Sequence, residues 1–414
     1  MTDTERTTGG PTPGERPETP KTPGPPPGLS RRGLLAAAGL GAAGLGATAA
    51  LAPGQALAAD TAARTPAALR PLYIGTYTSD GGGAGLGVAG YDPATGAVTA
   101  GSTLAGVPDP SFVTPSADHL YLYAVNEYEG TVTAIAAGQG DPRVLGSQST
   151  GGDGPCHLTV HAAGGHLLSA NYDSGSVAVH PIAADGSLGP RTDLVQHTGS
   201  GPDGSRQAGP HAHMVLNAPD GAFVLAVDLG TDTVYTYRLD TGTGKLADVS
   251  QARMAAGSGP RHGAFHPSGE YLYVANELGD TVTVCGYDQA TGMVTPGQSL
   301  PTVPAGDPPS GRNYPAEVLV SADGGFAYVS NRGHDSVARF TVGGGGAELQ
   351  LVDTVPAGGA YPRHIAMDPG GDWLFAANQN SGTVAAFARD QGTGELTATG
   401  PLFAFPVPVC VLLL

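Results

Sequence analysis

Two series of chemically capable side chains recur through this 414-residue sequence at intervals near fifty residues. Members of the first follow a proline: His157 after Pro155, His211 and His213 after Pro210, Arg261 and His262 after Pro260, Glu317 after Pro315, Arg363 and His364 after Pro362. Members of the second close an apolar run: Asn126-Glu127, Asn171, Asp228, Asn276-Glu277 and Asn331-Arg332. Arg261 and Arg332 offer permanently charged planar forks, suited to a carboxylate or phosphate and to a developing oxyanion. Glu277 beside two arginines would be held ionised, ready to accept a proton from water. His213 can exchange protons near neutral pH. At i and i+2 of a strand, His211 and His213 point to one side and can share a pocket. The same types also build structure, as ion pairs of the arginines with Glu277 or Glu317. For the Asn and Asp positions, turn-closing Asx-type bonds are the preferred reading.

Other chemistries have no carrier. No carboxylate or cysteine motif completes a ligand set around His211-x-His213, so no metal is expected. There is no Gly-x-Ser-x-Gly elbow, P-loop or dinucleotide fingerprint, so no serine nucleophile and no cofactor is expected. Gly81 to Gly83 and Gly343 to Gly346 read as loops. Cys156, Cys285 and Cys410 lie far apart without CxxC spacing and read as small buried hydrophobes.

The elements that must position these residues are short strands. The chain holds 66 Gly and 36 Pro, which excludes long helices, while 40% hydrophobic residues leave enough for a large core. Each repeat runs from its proline through an apolar stretch, a Gly-containing turn, a β-rich run ending in Asn or Asp, and another strand. Opening prolines fall at 110, 155, 210, 260, 315, 362 and 408. The expected fold is all-β: a seven-bladed β-propeller of four-stranded antiparallel blades. Leu72 to Tyr77 resembles a second strand with no first strand before it, and Pro408 to Val411 a first strand with no second after it. The C-terminal strand should therefore join the N-terminal blade and close the ring. Insertions at 197–209 and 301–313 precede innermost strands, so they fall on one rim. The start of strand one and the end of strand two share an end of an antiparallel sheet, so both chemical series should converge there, at the channel mouth.

Residues 1–28 are Pro-rich and read as a disordered leader. Arg31-Arg32 precedes a weakly hydrophobic Ala/Leu/Gly run, and Ala56-Leu57-Ala58 has the pattern of a signal peptidase site. This is the twin-arginine export pattern, so the export machinery is an expected partner and the cell envelope or exterior the expected location. No stable membrane insertion is expected after cleavage. The expected division is 1–58 leader and signal, 59–70 linker and 71–414 propeller. A net charge of −17 argues against nucleic-acid partners.

The ordered series Gly259 to Pro267, Asn276-Glu277-Leu278, Pro210-His211-Ala212-His213 and Ser330 to His334 resembles the lactonase family of seven-bladed propellers. That family includes propeller-type 6-phosphogluconolactonases and carboxymuconate lactonizing enzymes. The resemblance implies catalytic roles for His213, Arg261, Glu277 and Arg332, with Ala212 and His211 competing for the histidine position. His157, His211, His262, Glu317 and Arg363 are then expected to bind substrate. It also implies metal-independent hydrolysis of a small anionic, sugar-type lactone, although an exported enzyme leaves the substrate's phosphorylation open. A muconolactone cycloisomerase is one alternative. A ligand-binding propeller is another, but it would show exposed aromatics on a rim, and most of the aromatics here are expected inside strands.

Overall fold

Strand two of most repeats is nearly all apolar, as in Tyr121–Asn126, Tyr271–Asn276 and Trp373–Asn378. Such a strand has no polar face to give to water, so it must be covered on both sides. The chain meets this requirement by packing sheets face to face around a ring. In the computed structural model, residues 68–138 and 140–414 are described. The leader, the paired arginines and most of the expected linker lie outside the described residues.

Among these residues there are seven four-stranded antiparallel sheets. Blade 1 combines Pro408–Leu413 with Arg70–Thr76, Gly85–Tyr91 and Val98–Ala105. The first strands of blades 2 to 7 are Val113–Pro115, Pro155–Val160, Ala212–Asn217, Pro260–Phe265, Tyr314–Val320 and Pro362–Met367. These first strands touch one another around the ring. Fourth strands such as Val98–Ala105 are mostly exposed. The predicted closure is present: Leu72 pairs with Leu413, Tyr73 with Leu412 and Ile74 with Val411.

The core is divided as the architecture demands. Seven apolar clusters form, one between each adjacent pair of blades. Leu72, Ile74, Trp373 and Phe375, for example, lock blade 1 to blade 7. The turn from strand one to strand two needs a left-handed residue. Gly164, Gly221, Gly269, Gly324 and Gly371 supply it, with φ between 70° and 80°.

The Asn and Asp positions do structural work. Asp228 closes the expected Asx-type turn, accepting from the Thr231 N–H at 2.9 Å, whereas the Asn residues tie strand two to hydroxyls on strand three. Asn276 Nδ2 donates to Thr281 and Thr283 Oγ1 (2.9 and 2.8 Å), and Asn126 Oδ1 accepts from Thr131 and Thr133. Several also donate to a carbonyl of the incoming connection, Asn126 to Pro108 and Asn378 to Ala357. Threonine at i+5 and i+7 sits across the hairpin, so the bond follows from strand register.

Candidate active site

Most innermost strands enter their blades through an irregularity at or near the opening proline. In blade 5, Pro260 pairs with Asn276 and His262 with Ala275, which leaves Arg261 as the extra residue of a β-bulge. The same register shift frees Cys156 in blade 3, Arg363 in blade 7 and Val409 in blade 1. In blade 4 the shift lies between Ala212 and Met214, so His213 is the bulged residue. A bulge re-aims a side chain out of the normal alternation. His213 is thus the structural counterpart of Arg261 and Arg363, which removes the ambiguity with its neighbours.

The bulge also overturns the expectation that His211 and His213 share one strand face. His211 precedes the strand, stacks on Tyr172 at 4.5 Å and places Nδ1 2.9 Å from the Tyr172 carbonyl oxygen. His213 alone of the two lines the channel.

Around the axis, Phe112, His157, His213, Arg261, His262, Glu317, Arg363 and His364 enclose a cavity of about 10 Å³, room for about one water. The His157 ring lies 4.0 Å from Phe112 and 5.4 Å from His262. Glu317 Oε1 faces His262 Nε2 at 3.2 Å and His364 Nε2 at 3.8 Å. The Val215 N–H donates to His157 Nδ1 (3.5 Å) and the Val411 N–H to His364 Nδ1 (3.4 Å). Both rings therefore carry their proton on Nε2.

Burial decides the protonation of this inner layer. It pushes His157 and His364 down to about 3, and His213 and His262 well below the ordinary range, with nearby cationic charge adding to the effect. His213 is therefore a neutral imidazole rather than a proton exchanger near neutral pH. Burial works the other way on Glu317, raising its carboxyl to about 8 against the attraction of Arg261. Among the described residues no three His, Cys, Asp or Glu side chains are grouped so as to hold a metal ion.

Above the cavity, Glu277 is gripped by three guanidinium groups. Arg206 Nη2 reaches Oε1 at 2.5 Å, Arg332 Nη2 reaches Oε2 at 2.6 Å, and Arg261 Nε lies 3.2 Å from Oε2. Burial alone would raise this carboxyl. The charges of Arg332, Arg206 and Arg261 outweigh it and hold Glu277 far below the carboxylate range. Glu277 is ionised, as expected, but too weak a base to take a proton from water at neutral pH.

On the other side of the mouth the Arg363 guanidinium lies over the Tyr77 ring at 5.4 Å. The Tyr77 hydroxyl donates to Glu127 Oε2 at 2.9 Å, and Ser111 Oγ donates to the same oxygen at 2.5 Å. Tyr77 also stacks on Tyr128, and Arg332 lies over Tyr314 and Tyr361. The rim is thus lined with tyrosines, contrary to the expectation from composition. They sit at strand ends, where a residue count cannot separate them from core aromatics.

This layout of bulged inner strands, a charged mouth and a ring of seven blades has counterparts. The family model described as "Lactonase, 7-bladed beta-propeller" matches residues 71–413. The chain belongs to this lactonase family. The 6-phosphogluconolactonase of Bacillus subtilis (strain 168) is 36% identical over 343 residues, covering 82% of this chain and 97% of that one. The 6-phosphogluconolactonase of Formosa agariphila is 29% identical over 68% of this chain and 81% of its own length. Among solved structures, the periplasmic gluconolactonase of Pseudomonas aeruginosa superposes with a TM-score of 0.77 at 31% identity. That match covers 84% of this chain and 99% of that one.

Of the residues expected at this lactonase's site, His157, His213, Arg261, His262, Glu317 and Arg363 line one cavity. Glu277 and Arg332 join it through Arg261, while His211 stands outside, against Tyr172. Sequence reasoning missed Arg206, Tyr77 and Tyr172. A signal existed for each. Arg206 lies in the insertion at 197–209 already assigned to this rim. Tyr77 and Tyr172 follow Thr76 and Asn171 just as Glu127, Glu277 and Arg332 follow Asn126, Asn276 and Asn331 in their own repeats.

Proposed function

We propose that this lactonase hydrolyses a sugar-type lactone at the mouth of the central channel, without a metal ion. One juxtaposition carries this reading: Glu317, with its raised pKa, lies in a one-water cavity that Arg261 also lines. A water held there would attack the lactone carbonyl as Glu317 takes its proton. Arg261 would meet the developing oxyanion with a fork fixed by the Ala316 carbonyl at 2.7 Å. Collapse of the tetrahedral intermediate breaks the bond to the ring oxygen. Glu317 returns its proton to that oxygen, and the product is the open hydroxy acid. Glu277 would hold Arg206, Arg261 and Arg332 in place rather than act as the base, and neutral His213 would orient the substrate.

The cavity is far too small for a sugar, so the ring would lie above it, near Tyr172 and Tyr361. Such rings suit the apolar face of a pyranose. The 6-phosphogluconolactonase and gluconolactonase relatives support an aldonolactone. The Arg31-Arg32 leader, together with a periplasmic relative, supports work outside the cytoplasm.

The test is hydrolysis of gluconolactone, its 6-phosphate and a muconolactone by the purified protein and by Glu317→Gln. Turnover of an aldonolactone that falls about 10²-fold or more in the variant supports the reading. No turnover of any lactone by the parent would overturn it.

A further inference from the structure

The four arginines of the mouth are not equivalent. Arg206 donates to Tyr172 Oη (3.1 Å) and to Glu277. Arg261 donates to the Ala316 carbonyl, and Arg332 to the Tyr314 carbonyl and Glu277. Each of these three is spoken for, and all three converge on one carboxylate. An anion approaching them would have to displace Glu277, which is already held by opposite charge on both oxygens.

Arg363 differs. Among the described residues its guanidinium makes no hydrogen bond and no ion pair; it lies over the face of the Tyr77 ring, within reach of the charge of Glu127. The nearest carboxylate, Glu127, is turned toward Tyr77 and Ser111, which both donate to its Oε2. This half-buried guanidinium presents five N–H donors that no protein acceptor takes, so they are open to an incoming ligand. The bulge after Pro362 aims this side chain at the channel, where it lines the cavity with Arg261 and Glu317. Its backing by an aromatic ring leaves the edge of the fork open, the geometry suited to bidentate contact with a phosphate or carboxylate.

We propose that Arg363 is the docking point for an anionic group of the ligand, a phosphate or carboxylate held edge-on by the guanidinium fork with Tyr77 behind it. This rests on the lactonase reading for the identity of the ligand, but not for the anion chemistry. The anchor lies opposite the Glu277 cluster, so a ligand pinned at Arg363 would extend across the one-water cavity toward Arg261. The division of labour is then Arg363 for the anion and Arg261 for the reacting end, with Arg206 and Arg332 held on Glu277.

Binding can be measured apart from turnover. Isothermal titration of the purified protein with 6-phosphogluconate, gluconate and inorganic phosphate should show 6-phosphogluconate binding that weakens at least about tenfold in Arg363→Ala. Arg363→Lys, which keeps the charge and loses the fork, should recover only part of the loss. Arg363 also stabilises the buried Glu127 carboxylate, so Arg363→Lys, which keeps the charge, should melt close to the parent and is the variant that reports on the fork alone. A loss confined to 6-phosphogluconate assigns the fork to the phosphate, and an equal loss for gluconate assigns it to the carboxylate; either supports the proposal. Equal affinity of parent and Arg363→Ala for every anion, or no anion binding by the parent, would overturn it. An inactive parent that still loses anion binding in Arg363→Ala would overturn the lactonase reaction and leave this site standing.

Discussion

At the scale of single residues, the two glutamates of the site have opposite electrostatics, and this divides their roles. Glu317 must lose a proton before it can act as a base. The acid limb of kcat/KM should therefore rise with pH toward about 8 in the parent and disappear from the residual activity of Glu317→Gln. Linkage gives a second readout. A carboxyl with a raised folded pKa contributes stability that is present at low pH and lost as pH rises from the ordinary carboxylate range to about 8. Over that window the melting temperature of the parent should fall relative to Glu317→Gln. Glu277 behaves inversely, because its folded pKa is depressed. Its stabilisation is present above the ordinary carboxylate range and lost only in strong acid. Glu277→Ala leaves three guanidinium groups facing one another in a buried site and should cost about 3 kcal/mol at neutral pH. Thermal unfolding of parent and variant at pH 7 checks this, and an unchanged melting point would contradict it. The residue types of the site were legible in the sequence, since Arg, His and Glu recur at two fixed places in the repeat. Their roles were not. What suppresses the basicity of Glu277 includes Arg206, a residue 71 positions away on another blade's insertion.

At the scale of elements, the unread feature was the bulge. Period-two alternation put His211 and His213 on one face, but an extra residue in the inner strands of blades 4, 5 and 7 breaks that alternation just where the site begins. A bulge leaves no mark in the apolar pattern, so only register could show it. The insertion at 197–209 was legible as a break in the repeat spacing, though not the anchoring that fixes it. His197 Nδ1 lies 2.6 Å from Asp228 Oδ2, and the Tyr237 hydroxyl 2.9 Å from His197 Nε2. Gln207 Nε2 donates to the Leu229 carbonyl and Asp232 Oδ1. These bonds pin both ends of the loop that carries Arg206. His197→Ala leaves Asp228 Oδ2 without its partner at the loop base, while Oδ1 keeps the His211 and Thr231 N–H groups, a cost of about 1–3 kcal/mol. It should also raise KM as Arg206→Ala does, because both release the same grip on Glu277. If Arg206→Ala raises KM and His197→Ala leaves it unchanged while lowering the melting point, the loop does not depend on that anchor. The closing strand offers a larger test. Deleting residues 408–414 removes the buried Val409, Cys410, Val411 and Leu413 and bares the edge of Arg70–Thr76. Two or three such side chains are worth about 5 kcal/mol, near the net stability of a whole domain. The truncated protein should not melt cooperatively at the parent's temperature.

At the scale of the whole molecule, the ring was legible because its period is long and its turns are chemically marked; the seven inter-blade cores follow from that period. Two features of the ring bear on how such a chain would leave the cell. Its first strand, Arg70–Thr76, finds its inner partner in Pro408–Leu413, so blade 1 cannot close until that strand has been made. All three cysteines are free and buried, so the fold gains nothing from an oxidising compartment. A protein of this kind is best folded before it crosses a membrane, and the twin-arginine route carries folded cargo. We propose the twin-arginine route for this chain on the Arg31-Arg32 pair, and a ring that folds without disulfides is compatible with it. Replacing both arginines by lysine keeps the charge while removing the planar groups that the translocase reads. The double variant should accumulate as an uncleaved precursor in the cytoplasm, seen by fractionation and blotting. That precursor should hydrolyse lactone in the lysate, because the ring needs nothing from outside to fold. Secretion of the double variant at the parent's level would remove the export assignment, and an inactive precursor would show that folding before export is not the order of events.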